Sequence, residues 1–105
     1  MNCNAEQAHQ LITQHKNNPQ FKIVDVRTPE EYQENHIPGS ILIPQVELNL
    51  KIKELAKEDT HLMVCRSGNR SGVATNTLTQ QGYKAINLAG GIVSWTAQKL
   101  PTAKL

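Results

Sequence analysis

Apolar and polar positions change their period several times along this chain. Ala8, Leu11, Ile12 and His15 recur three and four apart, the spacing of one helix face. Asn4 with Gln7 offers a capping box ahead of them, and Asn17-Asn18-Pro19 ends the helix. Phe21 to Val26 is an apolar run of strand length. Thr28-Pro29-Glu30-Glu31 then starts a second helix, with Thr as cap, Pro at the first helical position and Glu at the third. His36-Ile37-Pro38-Gly39 breaks it early. Ser40 to Ile43 is a second strand, stopped by Pro44, and Leu48, Ile52 and Leu55 space a third helix. A strand at 61 to 65 and a helix at about 72 to 81 follow. Ala85 to Leu88 is the fourth strand, Gly90-Gly91 a turn, and 92 to 98 the last helix.

Short apolar strands alternating with helices predict an α/β fold, a small parallel sheet with helices on both faces. In such sheets ligands bind beyond the carboxyl ends of the strands. Cys65 falls at one such end. Asp25 and Arg27 fall at another.

Composition narrows the function more than the fold. The 105 residues suit a single domain, 1–105. Hydrophobic content is 38% and charged content 19%, as in globular chains. A net charge of +2, no basic run and 4% aromatics give no footing for nucleic acid. No apolar stretch reaches the length of a membrane span. The polar MNCNAEQAHQ lacks the order of a signal peptide, so a cytoplasmic location is expected. Cys3 and Cys65 are then read as free thiols, Cys3 in a frayed terminus. The Asn69-Arg70-Ser71 sequon is accidental in that compartment. His9, His15 and His61 have no Cys or carboxylate at ligand spacing, so neither metal nor cofactor is expected.

The loop Cys65-Arg66-Ser67-Gly68-Asn69-Arg70-Ser71 carries the chemistry. A free thiol with a pKa near 8.5 is only about 3% ionised at neutral pH. Three features favour the thiolate here. The amides of Arg66 to Ser71 can curl into an anion-binding nest, the next helix offers its positive end, and Arg66 and Arg70 are permanent cations. Gly68 eases the tight turn. Ser67 and Ser71 can donate to a bound anion, and Ser71 can equally cap the helix. The plainer alternative is a buried core cysteine, which needs neither the arginines nor the glycine.

The loop resembles the active loop of single-domain rhodaneses, a sulfurtransferase family. Two further stretches are similar to that family's signatures: Ile23-Val24-Asp25-Val26-Arg27-Thr28-Pro29-Glu30-Glu31-Tyr32 with Gly39 downstream, and Asn87-Leu88-Ala89-Gly90-Gly91-Ile92-Val93-Ser94-Trp95. Together they cover most of 21 to 101 in order. One departure is Lys99, where many members have Gly. The resemblance implies a rhodanese-like fold and a Cys65 persulfide, loaded by a small anionic sulfur donor such as thiosulfate. It implies unloading to cyanide or a thiol, including a protein thiol. Arg66, Ser67, Gly68, Asn69, Arg70 and Ser71 would form the anion cradle.

Plainer readings hold for several neighbours. Arg27 is expected to pair with Asp25, Glu30 or Glu31 and brace the loop, His36 to fix a turn, and Trp95 to sit in the core. Two other functions stay open. One is a dedicated persulfide carrier. The other is a phosphatase or arsenate reductase, whose loops place five residues between Cys and Arg, where only four separate Cys65 from Arg70.

Overall fold

Two reciprocal capping boxes set the local frame. Asn4 accepts from Gln7 N–H at 2.8 Å while the Gln7 side chain accepts from Asn4 N–H at 2.9 Å, starting α1, Ala5–Gln14. Thr28 and Glu31 repeat the device at α2, Pro29–Glu34. Both boxes stand where the sequence predicts them, because a cap is decided within four residues of chain.

The computed structural model describes residues 1–105. Five strands, β1 (Asn2–Cys3), β2 (Phe21–Asp25), β3 (Ile41–Leu42), β4 (Thr60–Val64) and β5 (Lys84–Leu88), form one sheet in the order β1-β5-β4-β2-β3. All pairings are parallel. The remaining helices are α3 (Gln45–Lys51), α4 (Asn69–Gln80) and α5 (Gly91–Ala97). The sheet is buried on both sides. Val24, Met63, Cys65, Leu78 and Ala85 pack on the face that carries α3 and α4. Ile23, Leu62, Val64, Leu88 and Trp95 pack on the face that carries α1 and α5. Neighbouring strand residues point to opposite layers, so a strand covered twice reads as a continuous apolar run. No helix is long and apolar enough to cross a membrane.

Three local expectations need correction. Cys3 does not lie in a frayed terminus: it is 7% exposed in β1, paired with Leu88. Its strand exists only because β5 offers a free edge, and two residues carry no pattern of their own. The third helix ends at Lys51, and Ile52–Glu54 tighten into a 3₁₀ turn. The fourth begins at Asn69 rather than about 72, because Gly68 at φ 98° turns the chain earlier.

Candidate active site

Cys65 follows the last residue of β4 at the carboxyl edge of the sheet, and it is 1% exposed. The next three residues fold back over it. Gly68 N–H donates to Cys65 Sγ at 3.0 Å, and the Ser71 hydroxyl, in the first turn of α4, lies 3.2 Å from the same sulfur. Burial pushes the thiol pKa up. The Ser71 hydroxyl and the amides of Ser71, Gly68 and Ser67 outweigh it, and the pKa falls below the ordinary thiol value. The dominant stabilisers are hydrogen bonds to the sulfur rather than the neighbouring guanidinium groups.

The loop is held from three sides. The carbonyl of Cys65 accepts from Ile92 N–H at 2.9 Å, and that of Arg66 from Val93 N–H at 3.1 Å, so the first turn of α5 clips the loop. Gly91 makes the approach possible: a β-carbon there would overlap both of those carbonyl oxygens. At the next strand end, the Asp25 carboxylate accepts from Arg27 Nε, Nη2 and N–H at 2.9–3.1 Å, both side chains being at most 3% exposed. Arg27 Nη2 also donates to the carbonyl of Asn35. A buried pair this well bonded costs about 3–5 kcal/mol to break from one side.

The two loop arginines are placed differently. Arg70 turns to α2 and pairs with Glu31 through Nη1 and Nη2. Arg66 is exposed and lines a cleft of about 390 Å³ with Glu34, Asn35, Ile92, Val93 and Thr96. Ser67 and Asn69 are exposed on the loop, and Gly68 is buried. Ser71, expected as a donor to a bound anion or as the helix cap, is fully buried inside α4, whose cap is Gly68. His36 stacks on Tyr32 and donates from Nδ1 to the Tyr32 carbonyl at 2.8 Å, fixing the turn. Trp95 is core, its Nε1–H on the Pro101 carbonyl.

One residue of the site escapes the sequence reading. Asn87 in β5 is 6% exposed on the α4 side of the sheet. It accepts from the Ser71 hydroxyl at 2.6 Å and donates to the Gly68 carbonyl at 3.2 Å. The available signal was a polar residue at a core-facing position of an apolar strand.

Comparison with known proteins identifies the family. The family model for the rhodanese-like domain matches residues 4–98. The chain is 39% identical over 71 residues to the thiosulfate sulfurtransferase PspE of Escherichia coli strain K12, covering 66% of this chain and 68% of that one. It is 40% identical over 79 residues to YrkF of Bacillus subtilis strain 168, which is named as a candidate sulfur carrier. That match covers 74% of this chain and spans only 43% of YrkF. Among solved structures, a rhodanese-related protein of Thermoplasma volcanium superposes with a TM-score of 0.87 at 32% identity. It covers 97% of this chain and 96% of that one.

Proposed function

The chain belongs to the rhodanese-like domain family, and from that premise we propose that it is a sulfurtransferase working through a Cys65 persulfide, with thiosulfate as a competent donor. One observation carries the reading: Gly68 N–H and the Ser71 hydroxyl both lie within hydrogen-bonding reach of Cys65 Sγ. Such donors hold an anionic sulfur without a general base.

The thiolate attacks the terminal sulfur of thiosulfate. The new Sγ–S bond forms as the sulfur–sulfur bond of the donor breaks, and sulfite leaves with the bonding pair. The persulfide keeps the negative charge on its outer sulfur, where the loop amides can bind it. A thiolate or cyanide acceptor then attacks that outer sulfur, and Sγ leaves as the thiolate. The sunken position of Cys65 suits this order, because thiosulfate presents its reactive sulfur end-on while its sulfonate stays outside. Arg66 is the cation on the exposed side of the loop, and we assign it the sulfonate. Ser67, Asn69 and Arg70 complete the mouth, while Asp25 and Arg27 brace it.

A second reading is a carrier that passes persulfide sulfur to one protein partner. The similarity to YrkF favours it. Intact mass spectrometry after thiosulfate treatment tests the common step: wild type should gain one sulfur atom, removable by cyanide, and Cys65→Ser none. No added sulfur on wild type would overturn the proposal. Turnover with a small thiol then separates enzyme from carrier.

A further inference from the structure

Resting on that reading of Cys65, we propose that Asn87 is a positioning residue for the transfer: its carboxamide aims the Ser71 hydroxyl at Sγ and pins the loop at Gly68.

The orientation of the carboxamide follows from its partners. The Gly68 carbonyl can only accept, so the group facing it is Nδ2, and Oδ1 faces Ser71. Nδ2 also reaches the Asn2 side chain in β1 at 3.0 Å. The Gly68 carbonyl takes a second bond from Gly72 N–H at 3.0 Å, the first bond of α4. Asn87 thereby ties the start of α4 to β5 at the residue whose own N–H points at the sulfur.

The Ser71 hydroxyl has one proton and two acceptors in reach, Asn87 Oδ1 and Cys65 Sγ. A serine inside a helix has a competing choice. It can turn back to the carbonyl four residues earlier, as Thr75 does here onto Ser71 at 2.8 Å. The short contact to Oδ1 selects the rotamer that keeps Oγ beside Sγ. When Sγ is neutral, as a thiol or as the inner sulfur of the persulfide, the Ser71 hydroxyl donates to Asn87 Oδ1. When Sγ is released as thiolate, the hydroxyl rotates to it with no other atom moving. The hydroxyl follows the charge, and no proton changes owner.

The charged groups of the loop and its surroundings come from other elements: Arg66 on the loop itself, Arg70 on α4, the Asp25–Arg27 pair at the end of β2, and Glu31 on α2. The segment Gly91–Ala97 contributes none, and the only charged residue of β5, Lys84, is at its opposite end. Cys3 packs on the other face of the sheet. Asn87 is uncharged, so its effect must pass through Ser71 and Gly68.

The test is the pH dependence of Cys65 alkylation in the full chain, located by peptide mass. Asn87→Ala should raise the midpoint by about one unit, the partial loss of one charge-assisted hydrogen bond. Ser71→Ala should raise it comparably. The double variant should fall well short of the sum of the two singles, because both act through the Ser71 hydroxyl. Asn87→Thr, which suits a strand but lacks the carboxamide, should match Asn87→Ala and carries the test if that variant does not fold. Asn2→Ala removes the other partner of Nδ2 and should leave the midpoint unchanged while lowering thermal stability. An unshifted midpoint in the Asn87 variants, strictly additive shifts, or a shift reproduced by Asn2→Ala would overturn the proposal. Because alkylation needs no sulfur donor, a failure of thiosulfate to load Cys65 would be seen separately.

Discussion

Arg70 and Glu31 face each other across the mouth of the loop as a two-pronged ion pair, Nη1 to Oε1 at 2.8 Å and Nη2 to Oε2 at 3.0 Å. The same Glu31 closes the capping box of α2. One carboxylate therefore joins the first turn of α4 to the first turn of α2. It holds the loop closed rather than leaving both arginines for a ligand.

That pair makes a pH-dependent contribution. The Arg70 hydrogen bonds, the largest cause, hold the Glu31 pKa down to about 2, from an ordinary value of 4.5. A depressed carboxylate pKa stabilises the fold above the unfolded value and loses that contribution as pH falls toward the folded one. Both side chains are partly exposed, so solvent screening limits the pair to about 0.5–1 kcal/mol. Glu31→Gln keeps the cap but not the charge. Urea unfolding should show it less stable than wild type near pH 7, with the gap closing between pH 4.5 and 2. A gap that persisted unchanged to pH 2 would exclude the ion pair as its source.

The unequal placement of the arginines separates their kinetic roles. Arg66→Ala should lower kcat/KM for thiosulfate by roughly 10- to 150-fold, one charge-assisted hydrogen bond, mainly through KM. Arg70→Ala should cost less than Arg66→Ala in donor kinetics and more in thermal stability. Steady-state kinetics of both variants decide this, and the reverse order would assign the sulfonate to Arg70.

The two thiols should differ in reactivity. Burial raises the Cys3 pKa, whereas hydrogen bonds lower that of Cys65 despite its burial. Iodoacetamide at pH 7 should label Cys65 first. Cys65→Ser should abolish thiosulfate:cyanide activity and Cys3→Ser should retain it, at a cost of about 1 kcal/mol for a hydroxyl in an apolar layer. Retained activity in Cys65→Ser would end the persulfide mechanism.

The adjacent glycines should respond differently to alanine. At Gly91 a β-carbon meets the carbonyls of Cys65 and Arg66, which are backbone and cannot step aside. At Gly90 it meets Ser94 Oγ, which can rotate away, and Ser94 Cβ at 2.8 Å, which requires only a slight shift within α5. Both have positive φ, so each substitution carries about 1 kcal/mol of strain. Gly91→Ala should in addition displace the loop and lose most activity, while Gly90→Ala keeps more of it. Thermal melts and turnover of the two variants provide the check, and equal losses would contradict the clash.

The sequence by itself determined what is decided within a few residues. Both capping boxes, the apolar strands, the turn at Gly90-Gly91 and the position of Cys65 after a strand were legible, because caps, pleats and turns depend on near neighbours. The α/β layering was legible too, since strands covered on both faces must read as continuous apolar runs. Tertiary structure decided the rest. Asn2 and Cys3 become a strand only when β5 stands beside them. Arg70 finds Glu31 across 39 positions, and Asn87 meets Ser71 across 16. Spacing within a segment says nothing of such partners. A guanidinium or a carboxamide bonds whichever acceptor the fold brings within 3 Å, and only the packing of one element on another sets that choice.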